Sequence, residues 1–99
     1  MNENSNDLFR LHILVTGRVQ NVGFRAFVQQ AGSLLALTGW VRNVNYNQVE
    51  VVAEGGRPAL EEFARLINAG PRGSRVEETS VEWETATGEY VGFNVRTSR

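Results

Sequence analysis

The stretch Gly17-Arg18-Val19-Gln20-Asn21-Val22-Gly23-Phe24-Arg25 holds three residues that tolerate positive φ, namely Gly17, Asn21 and Gly23. A loop built this way can turn several backbone N–H groups inward. If a helix begins at Phe24, its orphan N-terminal donors join them in a concave nest of partial positive charge, suited to an anion such as phosphate. Arg25 then falls in the first helical turn, the unfavourable end of the helix dipole for a cation, at a cost of about 0.3 to 1 kcal/mol. A bound anion reverses that sign, and hydrogen bonds from the guanidinium to a charged oxygen contribute about 1.5 to 3 kcal/mol. Without an anion, the same arginine lays its stem on the helix and its head in water.

A second constellation is Gly39-Trp40-Val41-Arg42-Asn43. Strand alternation sends Arg42 and Asn43 to opposite faces, with Asn43 in phase with Val41. An amide on a core-facing position needs polar partners, because burying it unpaired costs about 1 to 3 kcal/mol. Asn43 either satisfies itself locally or holds a water.

The elements that position these residues follow from periodicity. Phe9, Leu11, Ile13 and Val15 alternate with more polar neighbours, predicting a strand over Phe9–Thr16 that ends at Gly17. Phe24, Phe27, Val28, Ala31, Leu34 and Leu35 keep helical spacing, predicting a helix from Phe24 to about Leu37, with Gly39 as its stop signal. Trp40–Tyr46 and Val49–Glu54 read as a hairpin turning near Asn45 to Gln48. Pro58 opens a second helix carrying Leu60, Phe63, Ala64 and Ile67, which Gly70 and Pro71 close. Strands follow over Arg75 to about Thr85 and Tyr90–Arg96. The order β-α-β-β-α-β, with an extra or split last strand, predicts an α+β, ferredoxin-like sandwich: a mostly antiparallel sheet with two helices on one face. Residues 1–7 are polar and aperiodic, expected as a disordered N-terminal tail, and residues 8–99 form one domain.

With 99 residues the chain has room for one core, and its 41% hydrophobic and 21% charged residues suit a globular protein. It has no cysteine and one histidine, His12, which removes thiolate nucleophiles, Cys-based zinc sites and His clusters. No metal or cofactor is expected. The net charge of −1 offers no global attraction to nucleic acid or an anionic membrane. Between Leu8 and Val49 there is no Asp or Glu, yet Arg10, Arg18, Arg25 and Arg42 all lie there. No apolar run approaches the roughly 18 residues of a membrane span, and residues 1–7 lack the features of a signal peptide, so a cytoplasmic protein is expected. His12 is out of phase with the buried set of its strand and is expected on the exposed sheet face. Trp40 and Trp83 are expected to pack, and the run from Glu77 to Glu84 to be a solvated strand face.

At its two motifs the chain resembles the acylphosphatase family. The matching residues are Gly17-Arg18-Val19-Gln20-Asn21-Val22-Gly23-Phe24-Arg25 and Gly39-Trp40-Val41-Arg42-Asn43, with weaker matches at Gly70-Pro71 and Gly92-Phe93. The resemblance spans nearly everything after the N-terminal tail. It implies hydrolysis of the carboxyl–phosphate bond of small acyl phosphates without metal, cofactor or covalent intermediate. By matching position, it implies that Arg25 binds the phosphoryl oxygens with backbone amides of the loop Val19, Gln20, Asn21, Val22, Gly23 and Phe24, and that Asn43 holds the attacking water. Phosphoryl transfer of this kind needs positioning and charge stabilisation more than a protein nucleophile, and a carboxylate leaves readily.

Three positions depart from the family pattern. Asn21 stands where the pattern has Gly, Val44 where a small hydroxyl residue is frequent, and Asn45 to Gln48 replaces an Asp-Gly style turn, with Asn47 expected to take the positive-φ position. The rival reading is a catalytically inactive phosphate or small-ligand binding module of the same fold. An RNA-recognition domain shares the topology but needs stacking aromatics, and Val49–Glu54 carries none. The expected partners are a small acyl phosphate and, as product mimic, a phosphate or sulfate ion, bound by a monomer with no nucleic-acid or membrane contact.

Overall fold

A computed structural model describes residues 7–99, so the expected tail lies almost wholly outside the described residues. Elements run β1 (Phe9–Arg18), α1 (Phe24–Leu34), β2 (Thr38–Val44), β3 (Gln48–Gly55), α2 (Arg57–Ala69), β4 (Arg75–Thr85) and β5 (Phe93–Val95). The sheet order is β4-β1-β3-β2-β5, with every neighbouring pair antiparallel except β2 and β5. This is the expected ferredoxin-like sandwich with a parallel edge strand added.

Alternation on β1 places Leu11, Ile13 and Val15 on the helix side, where they meet Val41 of β2, Val49, Val51 and Ala53 of β3, and Phe24, Val28, Leu60, Phe63 and Ile67 of the helices. All twelve of these side chains are at most 1% exposed, so one continuous core lies between sheet and helices. Phe93 extends it under β5, edge-to-face with Phe63 at 5.6 Å.

Several boundaries differ from expectation: β1 does not end at Gly17 but continues through a bulge to Arg18, where it still pairs with β4, and β2 spans Thr38–Val44 rather than Trp40–Tyr46. Helix α1 ends at Leu34 because Ala36 takes the left-handed conformation (φ 59), with Leu37 N donating to Gly32 O and Ala36 N to Ser33 O. This is a Schellman end built on alanine. Gly39, expected to stop the helix, lies inside β2 instead. A Cβ there would stand 1.9 Å from the Val52 carbonyl oxygen of β3, so glycine is needed for strand approach. Finally, β5 keeps only Phe93–Val95 of the expected Tyr90–Arg96, because it pairs with β2 alone, at the sheet edge.

The other sheet face is open and polar. Arg42 of β2 and His12 of β1 both meet Glu50 of β3, at 2.7 and 2.6 Å. Trp40 is buried on this face between the guanidiniums of Arg42 (4.9 Å) and Arg96 (4.5 Å). The crossover from β4 to β5 is pinned by Glu54, which is 3% exposed. Its carboxylate accepts from Thr87 N and Gly88 N, both at 2.9 Å, and from Arg10 Nε at 2.8 Å. Burial alone would raise the Glu54 pKa, but these donors outweigh it and hold the group below its usual range. Trp83 packs at the β4 edge, edge-to-face with Phe9 at 6.2 Å, and remains 39% exposed.

Candidate active site

β1 delivers the chain to the helix layer at Gly17, where a bulge against β4 shifts the register between Thr16 and Gly17. Gly17 (φ 141), Asn21 (φ 61) and Gly23 (φ 76) all adopt positive φ, as the loop composition predicts. Gly23 is the N-cap of α1, and it supplies no side-chain cap. The first turn carries no acidic residue either. Among the described residues, no backbone hydrogen bond ties the N–H groups from Val19 to Phe24 to a protein acceptor. An uncapped helix N-terminus thus continues directly into a loop of free donors.

These groups line a cleft of about 310 Å³ formed by Val19, Asn21, Gly23, Phe24, Arg25, Ala26, Gln29, Asn43 and Val95. Arg25 is half-buried there and, among the described residues, has no carboxylate partner and no hydrogen bond. Two of the other three arginines in the acid-free stretch are neutralised, Arg10 by Glu54 and Arg42 by Glu50. The charge asymmetry in the sequence therefore leaves Arg25 as the free cation of the cleft.

On the facing wall, Asn43 of β2 is 8% exposed and in phase with Val41 on the helix side. Its carboxamide Oδ1 is buried without a partner among the described residues. Such an atom ordinarily costs about 1 to 3 kcal/mol, a cost that a bound water or ligand donor relieves. The open alternatives for Asn43 are narrowed accordingly: it is not satisfied locally. Its backbone carbonyl accepts from Arg99 N at 2.8 Å, so the chain beyond β5 braces β2 at this position.

The structure brings Val19, Asn21, Gly23, Phe24, Arg25 and Asn43 to one cleft. Val22 instead packs against the core. Gln20 turns its side chain to the β2–β3 turn, where Nε2 donates to Gln48 O at 2.9 Å and to Val44 O and Asn45 O at 3.2 Å. Sequence reasoning missed Ala26, Gln29 and Val95. Gln29 lies one turn after Arg25, so helical spacing was a usable signal, and its Nε2 donates to Phe93 O at 3.0 Å, tying α1 to β5. In the turn, the positive-φ residue is Asn45 (φ 56) rather than Asn47. Asn45 Nδ2 donates to Gln48 Oε1 at 3.1 Å, which supports that conformation.

No carboxylate, imidazole or thiol lines the cleft among the described residues, so it lacks the donor set of a divalent-metal site. A separate group, His12, Glu82 and Glu84, has ligand atoms within 4.8 Å of one another on the open sheet face. Arg10 lies 3.8 Å from Glu84 and Glu50 lies against His12, and the sheet separates the group from the cleft.

The family model described as Acylphosphatase matches residues 11–95. An acylphosphatase of Thermus thermophilus is 48% identical over 86 residues, covering 87% of this chain and 97% of that one. One of Trichormus variabilis is 47% identical over 89 residues, covering 90% of this chain and 87% of that one. Among solved structures, an acylphosphatase from Coxiella burnetii superposes with a TM-score of 0.86 at 33% identity, covering 97% of this chain and all of that one (100%).

Proposed function

The chain belongs to the acylphosphatase family, and from that membership we propose how its residues carry the reaction: Arg25 and the backbone N–H groups from Val19 to Phe24 bind the phosphoryl group while Asn43 holds the attacking water. The enzyme hydrolyses the carboxyl–phosphate bond of a small acyl phosphate. The water oxygen bonds to phosphorus, the bond from phosphorus to the acyl oxygen breaks, and carboxylate and inorganic phosphate leave. Charge gathers on the equatorial oxygens, where fixed N–H dipoles and one guanidinium act without reorganising. The carboxylate needs no general acid to depart. The water's proton passes to a phosphoryl oxygen of the substrate, so no protein base is required.

The observation that carries this reading is the pairing within one cleft of an uncompensated guanidinium and an unsatisfied, buried carboxamide oxygen. The donor-poor lining supports a metal-independent reaction, and inorganic phosphate or sulfate would occupy the same cradle as competitive inhibitors. A monomeric, cytoplasmic enzyme is part of the same proposal; no described helix is long and apolar enough to cross a membrane.

The test is hydrolysis of benzoyl phosphate in EDTA by wild type, Arg25→Ala and Asn43→Ala. Expected is turnover that survives chelation and falls at least about a hundredfold in each variant, the scale for removing one oxyanion donor. A wild-type rate equal to buffer would mark the inactive module. Full activity in either variant would remove that residue's role.

A further inference from the structure

Gln20 sits inside the phosphate loop, yet its side chain leaves the cleft. Nε2 reaches three carbonyl oxygens at once, those of Val44, Asn45 and Gln48. An amide has two protons, so at least one bond is shared, and Gln20 is held on the turn by more acceptors than it can fully satisfy. Val44 follows Asn43 directly in β2, and Val44 pairs with Gln48 across the hairpin. Two of the three residues on which Gln20 closes, Val44 and Gln48, are therefore joined through the hairpin to the peptide that carries Asn43.

Two further bonds join the same bodies nearer β1: Gly17 N donates to Asn47 O at 2.9 Å, and Gln48 Nε2 to Thr16 Oγ1 at 3.1 Å. These grip the loop at its start. Gln20 alone makes the connection from within the stretch Val19 to Phe24, among the described residues. On the reading given above for Arg25 and Asn43, the rate depends on the distance between the phosphoryl cradle, on the loop, and the water site, on β2. We propose that the Gln20 side chain is the strut that sets this distance: it positions Asn43 through the β2–β3 turn and itself touches neither substrate nor water, while the Gln20 backbone N–H stays part of the cradle.

The choice of side chain is consistent with that role. The acceptors are all carbonyl oxygens, so a carboxylate at position 20 would be repelled, and an apolar side chain would leave those carbonyls without this donor. Asn21, next in the chain, takes the left-handed conformation (φ 61) and lines the cleft. Gln20 thus anchors the last point before the loop changes direction.

The experiment is a double-mutant cycle on benzoyl phosphate with four proteins: wild type, Gln20→Met, Asn43→Ala and the double variant. Met keeps the length of Gln but has no donor. Each is measured for kcat, KM and the inhibition constant of inorganic phosphate. A misplacement of the order of 1 Å can cost about a hundredfold, so Gln20→Met is expected to lower kcat at least about tenfold. The phosphate inhibition constant is expected to change less than about threefold, because the cradle's own donors remain. In the Asn43→Ala background the same substitution is expected to have little further effect on kcat, as residues acting as one unit are non-additive.

Full kcat in Gln20→Met, equal effects in both backgrounds, or a loss of phosphate affinity as large as the loss of kcat would each overturn the strut. If Gln20→Met does not fold, Gln20→Asn replaces it in the cycle; its amide is retained on an arm one carbon too short, and the same outcomes decide. A fully active Asn43→Ala would instead overturn the reading of the site itself, which separates the two failures.

Discussion

Glu54 is the place where a single atom exchange should be most visible in stability. Its Oε1 accepts from Gly88 N at 2.9 Å, while Oε2 accepts from Thr87 N at 2.9 Å and Arg10 Nε at 2.8 Å. In Glu54→Gln one oxygen becomes an NH₂ group, which faces an N–H donor. That leaves one backbone donor unsatisfied, at about 1 to 3 kcal/mol, and reduces the remaining bonds from charge-assisted to neutral strength, about 1 kcal/mol each. Arg10 keeps Glu84 and Glu89 at 3.8 and 3.3 Å, so it is not stranded. The sum is about 3 kcal/mol, at the lower edge of the roughly 3 to 5 kcal/mol for breaking a buried pair. At a urea m-value of about 1 to 3 kcal/mol/M, the midpoint at pH 7 should fall by roughly 1 to 3 M. The pH dependence follows from the lowered Glu54 pKa. A free Glu titrates near roughly 4.3, so the carboxylate's contribution is complete above that value and is lost as pH falls through the lower folded pKa. The gap between wild type and Glu54→Gln should therefore be full at pH 7 and close in strongly acidic solution. Urea melts at stepped pH measure it. A gap under about 0.5 kcal/mol at pH 7, or one that persists unchanged below the folded pKa, would refute the pinning of the β4–β5 crossover by Glu54.

Ala36 holds a left-handed φ of 59 at the end of α1, where glycine is strain-free. Ala36→Gly relieves about 1 to 2 kcal/mol of strain and adds about 0.4 to 1 kcal/mol of unfolded-state entropy. Urea melts should show a net gain of about 0.5 to 1 kcal/mol, and a loss would mean that the Schellman end is not formed in solution. Asn21→Gly places at φ 61 the residue that adopts it without strain and removes a side chain from the cleft wall. Stability should shift by less than about 1 kcal/mol, since Asn tolerates this conformation, while kcat/KM for benzoyl phosphate rises severalfold. Unchanged kinetics would show that the Asn21 side chain does not meet the substrate.

Local pattern determined most of this molecule. The two-residue period of Phe9 to Val15 and the helical spacing from Phe24 placed β1 and the start of α1, because both depend on which face of a short segment is apolar. The loop's tolerance of positive φ was written in Gly17, Asn21 and Gly23, and its motif with Gly39 to Asn43 carried the family resemblance. Element ends were less legible. Helix α1 stops at an alanine, and the Gly39 that resembled its stop serves the approach of β2 to β3, a contact no local window contains. Tertiary structure alone decided how charge and polarity were spent. Arg10 and Arg42 looked equivalent to Arg25 in sequence, but β3 brings Glu54 and Glu50 to them and brings no carboxylate to Arg25. Asn43 was ambiguous between local satisfaction and a ligand until its Oδ1 was seen buried and unpartnered. Gln20 read as one more loop residue until the hairpin, 24 to 28 positions away, supplied its acceptors. Sequence carries the period of burial and the conformational tolerance of each residue. Which donor meets which acceptor across the sheet depends on register, and register forms only when the strands pair.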